Sequence, residues 1–494
     1  MKQGSAGHHR RSDLVRIATQ AMHERQLLTE FGAQVEAELE GLRAPDLDVA
    51  HDVQGVHDLR DLPWCSIDND DSRDLDQLSC IEALENGATR LRVAIADVDA
   101  LVGKDSAIDK HAQANGATVY TSARIFPMLP ELLSYDLTSL NPGADRFSLV
   151  TEMEFSADAE LLRHTIYRAK VHNQCKLAYD AVALWLDGAG PLPAPAQAVP
   201  DMDWQLRQQD ALAQQLRVAR HAKGSLEFET FQPQAVFQGD KVVAIIQQVH
   251  NRARQLIEEV MVVTNQCNAR FLARSGSASL RRVVRSPDRW LRIVAVAQQY
   301  GEALPPEPDA LALEAFLARR RQADPLRFAD LSLIIVKLMG SGEYVLESSH
   351  GVPTGHFALA VRDYTHSTAP NRRYPDLITS RLLKAAIAGQ PSPYSERELA
   401  QLAIHCTHQE DAVRKVERRM RKSDAAMYLE SRMGREFSAL VTGNSDGGIW
   451  VRLIPIPIEG KLLADSAPEV GAQLRVRLVS TSVEHGFIDF VPAR

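Results

Sequence analysis

The chain of 494 residues is 45% hydrophobic and 24% charged, which suits a protein of about three domains at ~150 residues each. Its five cysteines are scattered without a CxxC pair, no apolar run nears ~18 residues and no signal-peptide pattern opens the chain, so composition disfavours disulfide-rich, exported and membrane proteins and predicts a soluble cytoplasmic one. The net charge of -8 argues against attraction of nucleic acid by the whole surface, but basic residues cluster locally at 281–292, 319–321, 372–373 and 414–422.

The N-terminal residues 12–43 predict two helices, because apolar side chains recur at helical spacing in both halves of this segment. Leu14, Ile17 and Met22 lie on one such face, and Leu27 and Leu39 are among those of the second half. Thr29 between the two halves is a suitable N-cap for the second helix.

The most informative segment is an acidic loop at residues 66–77, which holds five carboxylates within nine residues. Asp74 and Asp76 are two apart, so an extended backbone would project both side chains from one face, and Asp68 lies one loop back. Crowded carboxylates suit magnesium, or manganese, because these ions share their oxygen shell with water and phosphate. A solvated acidic turn is equally open by spacing alone, whereas a calcium loop is disfavoured because glycine and glutamate are missing at the EF-hand offsets.

Strand-like segments flank the acidic loop. An apolar run at 61–67 leads into the acids, and residues 78–82 and 91–98 bracket the hairpin signal Asn86-Gly87. We therefore expect the acids to be held on a sheet, and phosphoryl chemistry is the leading hypothesis.

From about residue 434 the pattern changes to short alternating strands between Gly-rich turns. These strands are predicted at residues 437–442, 448–453, 473–479 and 486–490. Four or five strands in about 60 residues suit a small OB-type β-barrel. Phe437 and Trp450 are as compatible with the core of such a barrel as with stacking on bases.

The acidic loop resembles the signature of the ribonuclease II and ribonuclease R exoribonuclease family, which is an apolar residue, Asp, five residues and then Asp-x-Asp-Asp. Ile67, Asp68, Asp74 and Asp76 match it, and Gln77 stands where the family has its last Asp. Further matches follow in the family's order, so the resemblance covers about residues 55 to 430. They lie at residues 95–98, 106–109, 119–120, 126–134, 140–143, 145–146, 256–261, 355–359, 364–377 and 416–418.

The resemblance implies an α+β multidomain fold. It implies a mixed α/β RNB catalytic domain at residues 53–433 and an OB-fold RNA-binding domain at residues 434–494. Residues 1–52 are too few for two cold-shock domains and resemble the small helical, helix-turn-helix or winged-helix-like domain of compact bacterial members. A helical pair that packs on the catalytic domain without touching RNA is equally open.

The activity implied by the resemblance is 3′-to-5′ hydrolysis of single-stranded RNA to nucleoside 5′-monophosphates. Tyr120 would stack on the 3′-terminal base, Glu417 would contact the terminal sugar, and Phe228 would be a second stacking clamp. Arg373 is a further RNA-binding candidate. Without the resemblance, these residues would be interpreted as ordinary core or surface positions. We expect a monomer that needs no small-molecule cofactor.

The chemistry predicted for the acidic loop is two-metal hydrolysis, in which one ion lowers the pKa of the attacking water and the other stabilises the leaving 3′ oxygen. The predicted metal ligands are Asp68, Asp74, Asp76 and Gln77. Arg372 would bind the phosphate through its bidentate fork. Pro370 can open a helix whose N-terminal amides also favour phosphate.

Departures from the family pattern leave alternatives open. Gln77 is a neutral and weaker ligand than a carboxylate, so either Asp70 or Asp71 substitutes for it, or activity survives with weaker metal affinity, or the protein is a catalytically impaired RNA-binding regulator. We favour survival of activity, because the other acids and Arg372 are present. Ala369 and Asn371 depart from the family's Thr-Ser-Pro-x-Arg-Arg-Tyr. A small-molecule phosphatase is disfavoured, since it would not need the C-terminal barrel.

Overall fold

The structure is a computed structural model that describes residues 9–43, 55–229, 233–247, 250–349, 355–445, 447–464, 466 and 468–493. Its N-terminal segment forms the two expected helices, α1 (Arg11–His23) and α2 (Ala33–Gly41). The prediction that Thr29 caps the second helix is wrong, because Gly32 holds the N-cap position and the Thr29 hydroxyl meets the His23 ring at 3.1 Å. The chain crosses here from one hydrophobic core, which buries Leu27, to another, on which Phe31 packs, and that span is irregular rather than helical.

A mixed seven-stranded sheet forms the centre of the molecule, in the order β1-β8-β7-β4-β3-β2-β9. Its strands are β1 (Val56–Asp58), β2 (Cys65–Asp68), β3 (Gln77–Ala83), β4 (Thr89–Ala96), β7 (Asp145–Phe155), β8 (Leu161–His172) and β9 (Cys175–Ala178). The two outer strands β1 and β9 run parallel to their neighbours, and the other pairs are antiparallel. The predicted hairpin around Asn86-Gly87 is the connection between β3 and β4.

Helices cover both faces of this sheet, because alternate side chains of each strand enter opposite cores. Along β4, Val93 and Ile95 enter one core, and Ala94 and Ala96 enter the other. The first core is covered by α4 (Tyr179–Leu186), α5 (Ala194–Gln197), α6 (Met202–His221) and α7 (Arg252–Arg274). The second is covered by α2, α3 (Ala107–Asn115), α11 (Tyr374–Ile387) and the first half of α12 (Glu396–Glu430).

A separate helical layer is formed by α8 (Trp290–Gln299), α9 (Ala310–Ala323) and α10 (Pro325–Met339). These helices share a core that includes Trp290, Phe316 and Leu331. Three small antiparallel pairs complete the large domain: β5 (Val119–Tyr120) with β6 (Ile125–Phe126), β10 (Pro233–Gln238) with β11 (Lys241–Gln247), and β12 (Ser279–Val283) with β13 (Glu343–Glu347).

The C-terminal strands close into a barrel of order β14-β15-β16-β18-β17, which confirms the predicted OB-type barrel. They are β14 (Glu436–Ser445), β15 (Gly448–Ile454), β16 (Glu459–Leu462), β17 (Gln473–Ser482) and β18 (Phe487–Pro492). The barrel shares its core with α1 and with the second half of α12, through residues such as Ile17, Val416 and Phe490. The α+β fold class is therefore confirmed.

Two general expectations can be compared with the described residues. All five cysteines are buried and unpaired. None of the helices within the described ranges has the length and apolar character required to cross a bilayer. The predicted domain boundary at residue 52 lies outside the described residues.

Candidate active site

The acidic loop joins two neighbouring antiparallel strands, since Asp68 ends β2 and Gln77 begins β3. Lys176 at the parallel strand β9 anchors the loop, because its Nζ donates to the carbonyl oxygens of Asp70 and Ser72 at 2.8 and 2.7 Å. Asp70 and Asp71 are exposed at the tip. After the tip the loop turns inward, so that Asp74 is half-buried and Asp76 is buried.

Asp68 lies against Gln77. The Gln77 Nε2 donates to both carboxylate oxygens of Asp68 at 3.3 Å, and Gln77 itself is 7% exposed. Burial raises the pKa of Asp68 to about 7, although the Gln77 amide and Arg372 favour the ionised form. The residue that replaces a family aspartate thus serves as a hydrogen-bond donor to Asp68 in this structure, and only its Oε1 remains suited to a cation.

Asp76 is the most deeply buried acid of the loop, with its side chain 2% exposed. Its Oδ1 accepts from the backbone N–H of Asn371 at 3.0 Å, and its Oδ2 accepts from the Arg372 Nε at 3.2 Å. Burial raises the pKa of Asp76 to about 7, and Arg372 only partly offsets this effect. The Arg372 side chain remains 43% exposed, so its guanidinium joins a buried carboxylate to the open side of the site.

Asp74 completes the group. Its Oδ2 accepts a short hydrogen bond from the Tyr120 hydroxyl. Asp74 is close enough to raise the pKa of both Asp68 and Asp76, so the three carboxylates share one recess. Burial, and then Asp74, raise the pKa of the Tyr120 phenol, which keeps it protonated as the donor.

Tyr120 and Arg372 are brought together by pairing between two chain segments. The Thr118 amide donates to the Arg372 carbonyl at 3.0 Å, and the Tyr374 amide donates to the Gly116 carbonyl at 2.9 Å. Gly116 has φ +71, and a Cβ at this position would lie 2.6 Å from the Cβ of Gln409 on α12. Only glycine permits this close approach in the left-handed conformation.

The long helix α12 supports the same region from behind. The Glu417 Oε1 accepts from the Tyr120 amide at 3.2 Å, and burial raises the pKa of Glu417. Two turns further along α12, the Asp424 Oδ1 accepts from the Ser122 hydroxyl at 2.7 Å. Glu417 therefore fixes the backbone of Tyr120, a residue that is 39% exposed.

Other predicted residues have different surroundings. Arg373 turns away from Asp76 and donates through Nη2 to Asp376 at 2.7 Å. Phe228 is half-buried against the core of α8, α9 and α10, and among the described residues no hydrogen bond or ring contact joins it to the acidic loop. The RNA-binding roles of both stay predictions.

The prediction that Pro370 opens the helix is wrong. α11 begins at Tyr374, and the proline in its first turn is Pro375. Pro370 lies in a turn closed by the Arg373 amide, which donates to Ala369 at 2.9 Å. The backbone of Arg373 is extended because it pairs with Ala117, and that pairing delays the helix start.

Two residues beside Asp68 had no signal in the sequence. Tyr179 follows β9 at the start of α4, and Arg254 lies in the first turn of α7, with its guanidinium 4.4 Å from the Tyr179 ring. The Arg254 Nη2 donates to the Asn69 side chain at 2.7 Å. These residues come from segments more than a hundred positions beyond the acidic loop, so only the folded sheet shows that they meet it.

The recess fits a divalent cation in its donor chemistry. Asp68, Asp74 and Asp76 supply hard carboxylate oxygens, and Gln77 supplies an amide oxygen. In the part of the chain that the structure describes, no three His, Cys, Asp or Glu side chains are arranged to hold an ion as they stand. The acids are instead engaged by Gln77, Tyr120 and Arg372, so cation binding would have to exchange these hydrogen bonds for metal contacts.

Comparison with known proteins bears on this arrangement. Residues 56–389 match the model of the RNB domain, and residues 435–493 match the RNase II-type exonuclease C-terminal S1 domain. The chain belongs to the RNB-domain family. Family membership therefore rests on a match that contains the whole acidic loop and Arg372.

The relatives of this RNB-family chain include ribonuclease R of Vibrio cholerae, which is 32% identical over 466 residues; the match covers 89% of the chain and 54% of the relative. The chain spans about half the length of the curated relatives it matches. Mycoplasma genitalium RNase R in complex with ribose-methylated single-stranded RNA has a TM-score of 0.88 at 22% identity, over 97% of this chain and 78% of that one. Yeast Ssd1, described as a pseudonuclease, has a TM-score of 0.73 at 15% identity, over 94% and 58%. These two structures support the fold.

Proposed function

We propose that this protein is a 3′-to-5′ exoribonuclease that hydrolyses single-stranded RNA to nucleoside 5′-monophosphates with magnesium. The observation that carries the proposal is the contact between buried Asp76 and half-exposed Arg372, beside Asp68 and Asp74, inside a matched RNB domain. Its relatives are named ribonuclease R, and one related structure contains single-stranded RNA. The proposal includes a monomer in the cytoplasm, with functional units at residues 1–52, 53–433 and 434–494.

Some residues of the recess would bind the RNA, and others would hold the catalytic cations. Arg372 presents a planar guanidinium to a non-bridging phosphate oxygen, where charge increases as water attacks phosphorus. Tyr120, which is 39% exposed, would stack on the terminal base, and Glu417, which accepts from the Tyr120 amide, would contact the terminal sugar. Phe228 and Arg373 are retained as further RNA contacts. Two divalent cations held by Asp68, Asp74, Asp76 and Gln77 would supply the remaining chemistry: one would activate the attacking water, and the other would stabilise the departing 3′ oxygen.

The products follow from the bonds that change. Water forms the new bond to phosphorus, and the bond to the 3′ oxygen of the preceding nucleotide breaks. That oxygen takes up a proton and remains on the shortened RNA, while the phosphate stays on the released nucleoside as a 5′-monophosphate. The proposal therefore excludes products that carry a 3′ phosphate.

A second candidate function is RNA binding without hydrolysis through the same recess. Two observations favour it: Gln77 donates to Asp68 where the family places a carboxylate, and a pseudonuclease shares the fold at 15% identity. We prefer the hydrolytic function because three carboxylates and Arg372 still converge on one recess.

The test is incubation of the purified full chain with RNA that carries label at its internal phosphates and an unpaired 3′ tail, with magnesium, followed by separation of the products on a gel. We expect progressive shortening from the 3′ end, release of 5′-monophosphates and no reaction after chelation. Asp76→Asn is the matched inactive control, and DNA of the same sequence is the substrate control. Products with a 3′ phosphate, or equal degradation of DNA, would contradict the proposal; RNA binding with no product under any metal would favour the second function.

A further inference from the structure

Arg254 is an arginine beside the acidic loop that has no carboxylate partner among the described residues. Within the described ranges, no Asp or Glu oxygen lies within ion-pairing distance of its guanidinium, and its Nε is buried without a hydrogen-bond partner. Its side-chain hydrogen bond is the one to Asn69, the residue that follows Asp68. The neighbouring Arg252 differs, since it pairs with the buried Asp210 at 2.7 Å. A partly buried cation without a counterion is costly, so its presence calls for an anion that binds there.

The guanidinium of Arg254 is held in place on two sides. The Tyr179 ring lies 4.4 Å away and provides a cation–π surface, and the Asn69 Oδ1 accepts at 2.7 Å. Arginine has five N–H donors in a fixed fork, of which one bonds Asn69 and the one on Nε is buried, so the donors left for a ligand are those on the two Nη atoms. The arrangement positions the guanidinium without neutralising its charge.

Tyr179 links Arg254 to the rest of the recess. Burial raises the pKa of the Tyr179 phenol; Asp68 raises it further, while Arg254 and Arg372 both lower it. One phenol is thus within electrostatic range of Asp68 and of both arginines. Two cations therefore flank the acids at which hydrolysis is proposed: Arg372 contacts Asp76, and Arg254 contacts the residue next to Asp68.

We propose that Arg254 is a second phosphate contact of the RNA, which binds a non-bridging oxygen of one linkage near the 3′ end, with Tyr179 and Asn69 as its positioning residues. This inference rests on the proposed function for its choice of RNA as the anion. It assigns to Arg254 a linkage-specific role, because the acidic loop and Arg372 fix where the terminal nucleotides lie. One charged hydrogen bond of this kind is worth roughly 1.5 to 3 kcal/mol, or about a 10- to 100-fold change in affinity.

The experiment measures binding without turnover, in full-length protein that carries Asp76→Asn. A series of RNAs contains one uncharged methylphosphonate linkage at each of the last few positions. We expect a neutral linkage to weaken binding about 10-fold or more at one position in addition to the linkage that Arg372 contacts. After Arg254→Gln is added, binding of the unmodified RNA should weaken by a similar factor, and the neutral linkage at that position should cause no further loss. The slope of log affinity against log salt should fall by about 0.7, as for one lost contact to a single strand.

Arg207→Gln is the matched control, because Arg207 also lies 4.4 Å over a ring, that of Trp185, but is exposed on α6. It should leave the linkage pattern unchanged. If Arg254→Gln weakened every RNA equally and kept the sensitivity at each linkage, Arg254 would have only a structural role and the inference would be overturned. If the Asp76→Asn protein and the wild type both failed to bind any RNA, the proposed function itself would fail, which is a distinguishable result.

Discussion

Two consecutive arginines illustrate how single residues of the recess differ in what they can do. Arg372 reaches the buried Asp76 yet stays 43% exposed, so it can contact a substrate. Arg373 pairs with Asp376, whose side chain is fully buried. Extended backbone at Arg373 sends the two side chains in different directions. Loss of Arg373 would leave an unpaired buried carboxylate, whereas loss of Arg372 would mainly affect chemistry.

Asp76→Asn should remove nearly all turnover and leave the affinity for RNA within a few fold, because the side chain contacts the catalytic machinery and lies 2% exposed. Asparagine keeps the size and an oxygen acceptor for the Asn371 amide. The measurement is single-turnover kinetics beside equilibrium binding. An Asp158→Asn control, at an exposed position outside the acidic loop, should retain activity. A variant at Asp76 that kept most of its turnover would show that chemistry occurs elsewhere.

Arg372→Lys should lower kcat/KM, and the loss should correspond to about 2 to 4 kcal/mol of transition-state stabilisation, the scale of a lost oxyanion donor. Lysine keeps the charge but cannot present a planar fork to both Asp76 and phosphate. Rates with saturating and limiting RNA separate effects on kcat from effects on KM. Arg163→Lys is the control, because Arg163 is an exposed arginine that pairs with the carboxylate of Glu154 away from the acidic loop. An unchanged kcat would indicate that a point charge suffices.

Gln77→Asp should reduce the magnesium concentration needed for half-maximal activity, because a carboxylate is a stronger ligand than an amide. The substitution also replaces the donor to Asp68 with a like charge, which would raise the pKa of Asp68 above its value of about 7. The titration therefore belongs near pH 8. An unchanged magnesium titration together with loss of activity in Asp70→Asn or Asp71→Asn would show that an acid of the loop tip had taken the metal-binding role.

At the scale of elements, local sequence patterns are sufficient to predict many of the helices and strands. Alternation and glycine-rich turns predicted four barrel strands, and helical spacing predicted α1 and α2. The acidic loop was found because its acids are close together in the chain. These features depend on neighbouring residues, and the physical preferences that produce them are local.

The remaining features depend on contacts between distant segments. The sequence pattern does not predict β16, because this strand has four residues and is stabilised by pairing with β15 and β18. The start of α11 was misplaced because pairing of Arg373 with Ala117, more than two hundred residues away, keeps the backbone extended. Tyr179 and Arg254 meet the acidic loop only because the order of the strands in the sheet brings β9 beside β2. No local pattern carries information of this kind.

Gly116→Ala tests the element that positions Tyr120 and Arg372. A left-handed alanine costs about 1 to 2 kcal/mol and overpacking about 1 to 3 kcal/mol, so unfolding free energy should fall by about 2 to 5 kcal/mol. Gly143→Ala is the matched control, because it has the same φ of +71 with no atom within 4 Å of the added Cβ. It should cost only the conformational part. Equal losses in thermal unfolding would show that contact with Gln409 does not constrain the segment.

At the scale of the whole molecule, buried ionisable groups act on stability in opposite directions. Burial lowers the pKa of His111, His164 and His356 to about 4, so the folded state gains stability as pH rises from about 4 to 6.5. Asp68 and Asp76 have folded pKa values near 7, above the ordinary 3.8, so their contribution to stability is lost as pH rises from about 4 to 7. The overall pH dependence therefore cannot report on the recess, but a difference between two proteins can.

The melting temperature of the wild type minus that of Asp76→Asn should fall between pH 4 and pH 7 in a chelating buffer, because only the wild type must ionise a carboxylate buried at that position. Magnesium at pH 8 should raise the wild-type melting temperature and reverse much of this difference, since binding to the folded state alone adds stability. The rise should be smaller at pH 5, where protons compete for the same oxygens. Asp158→Asn, at an exposed position outside the acidic loop, should follow the wild type. A difference that stays constant with pH, and is indifferent to magnesium, would show that the recess neither carries the excess negative charge nor binds the cation on which the proposed hydrolysis depends.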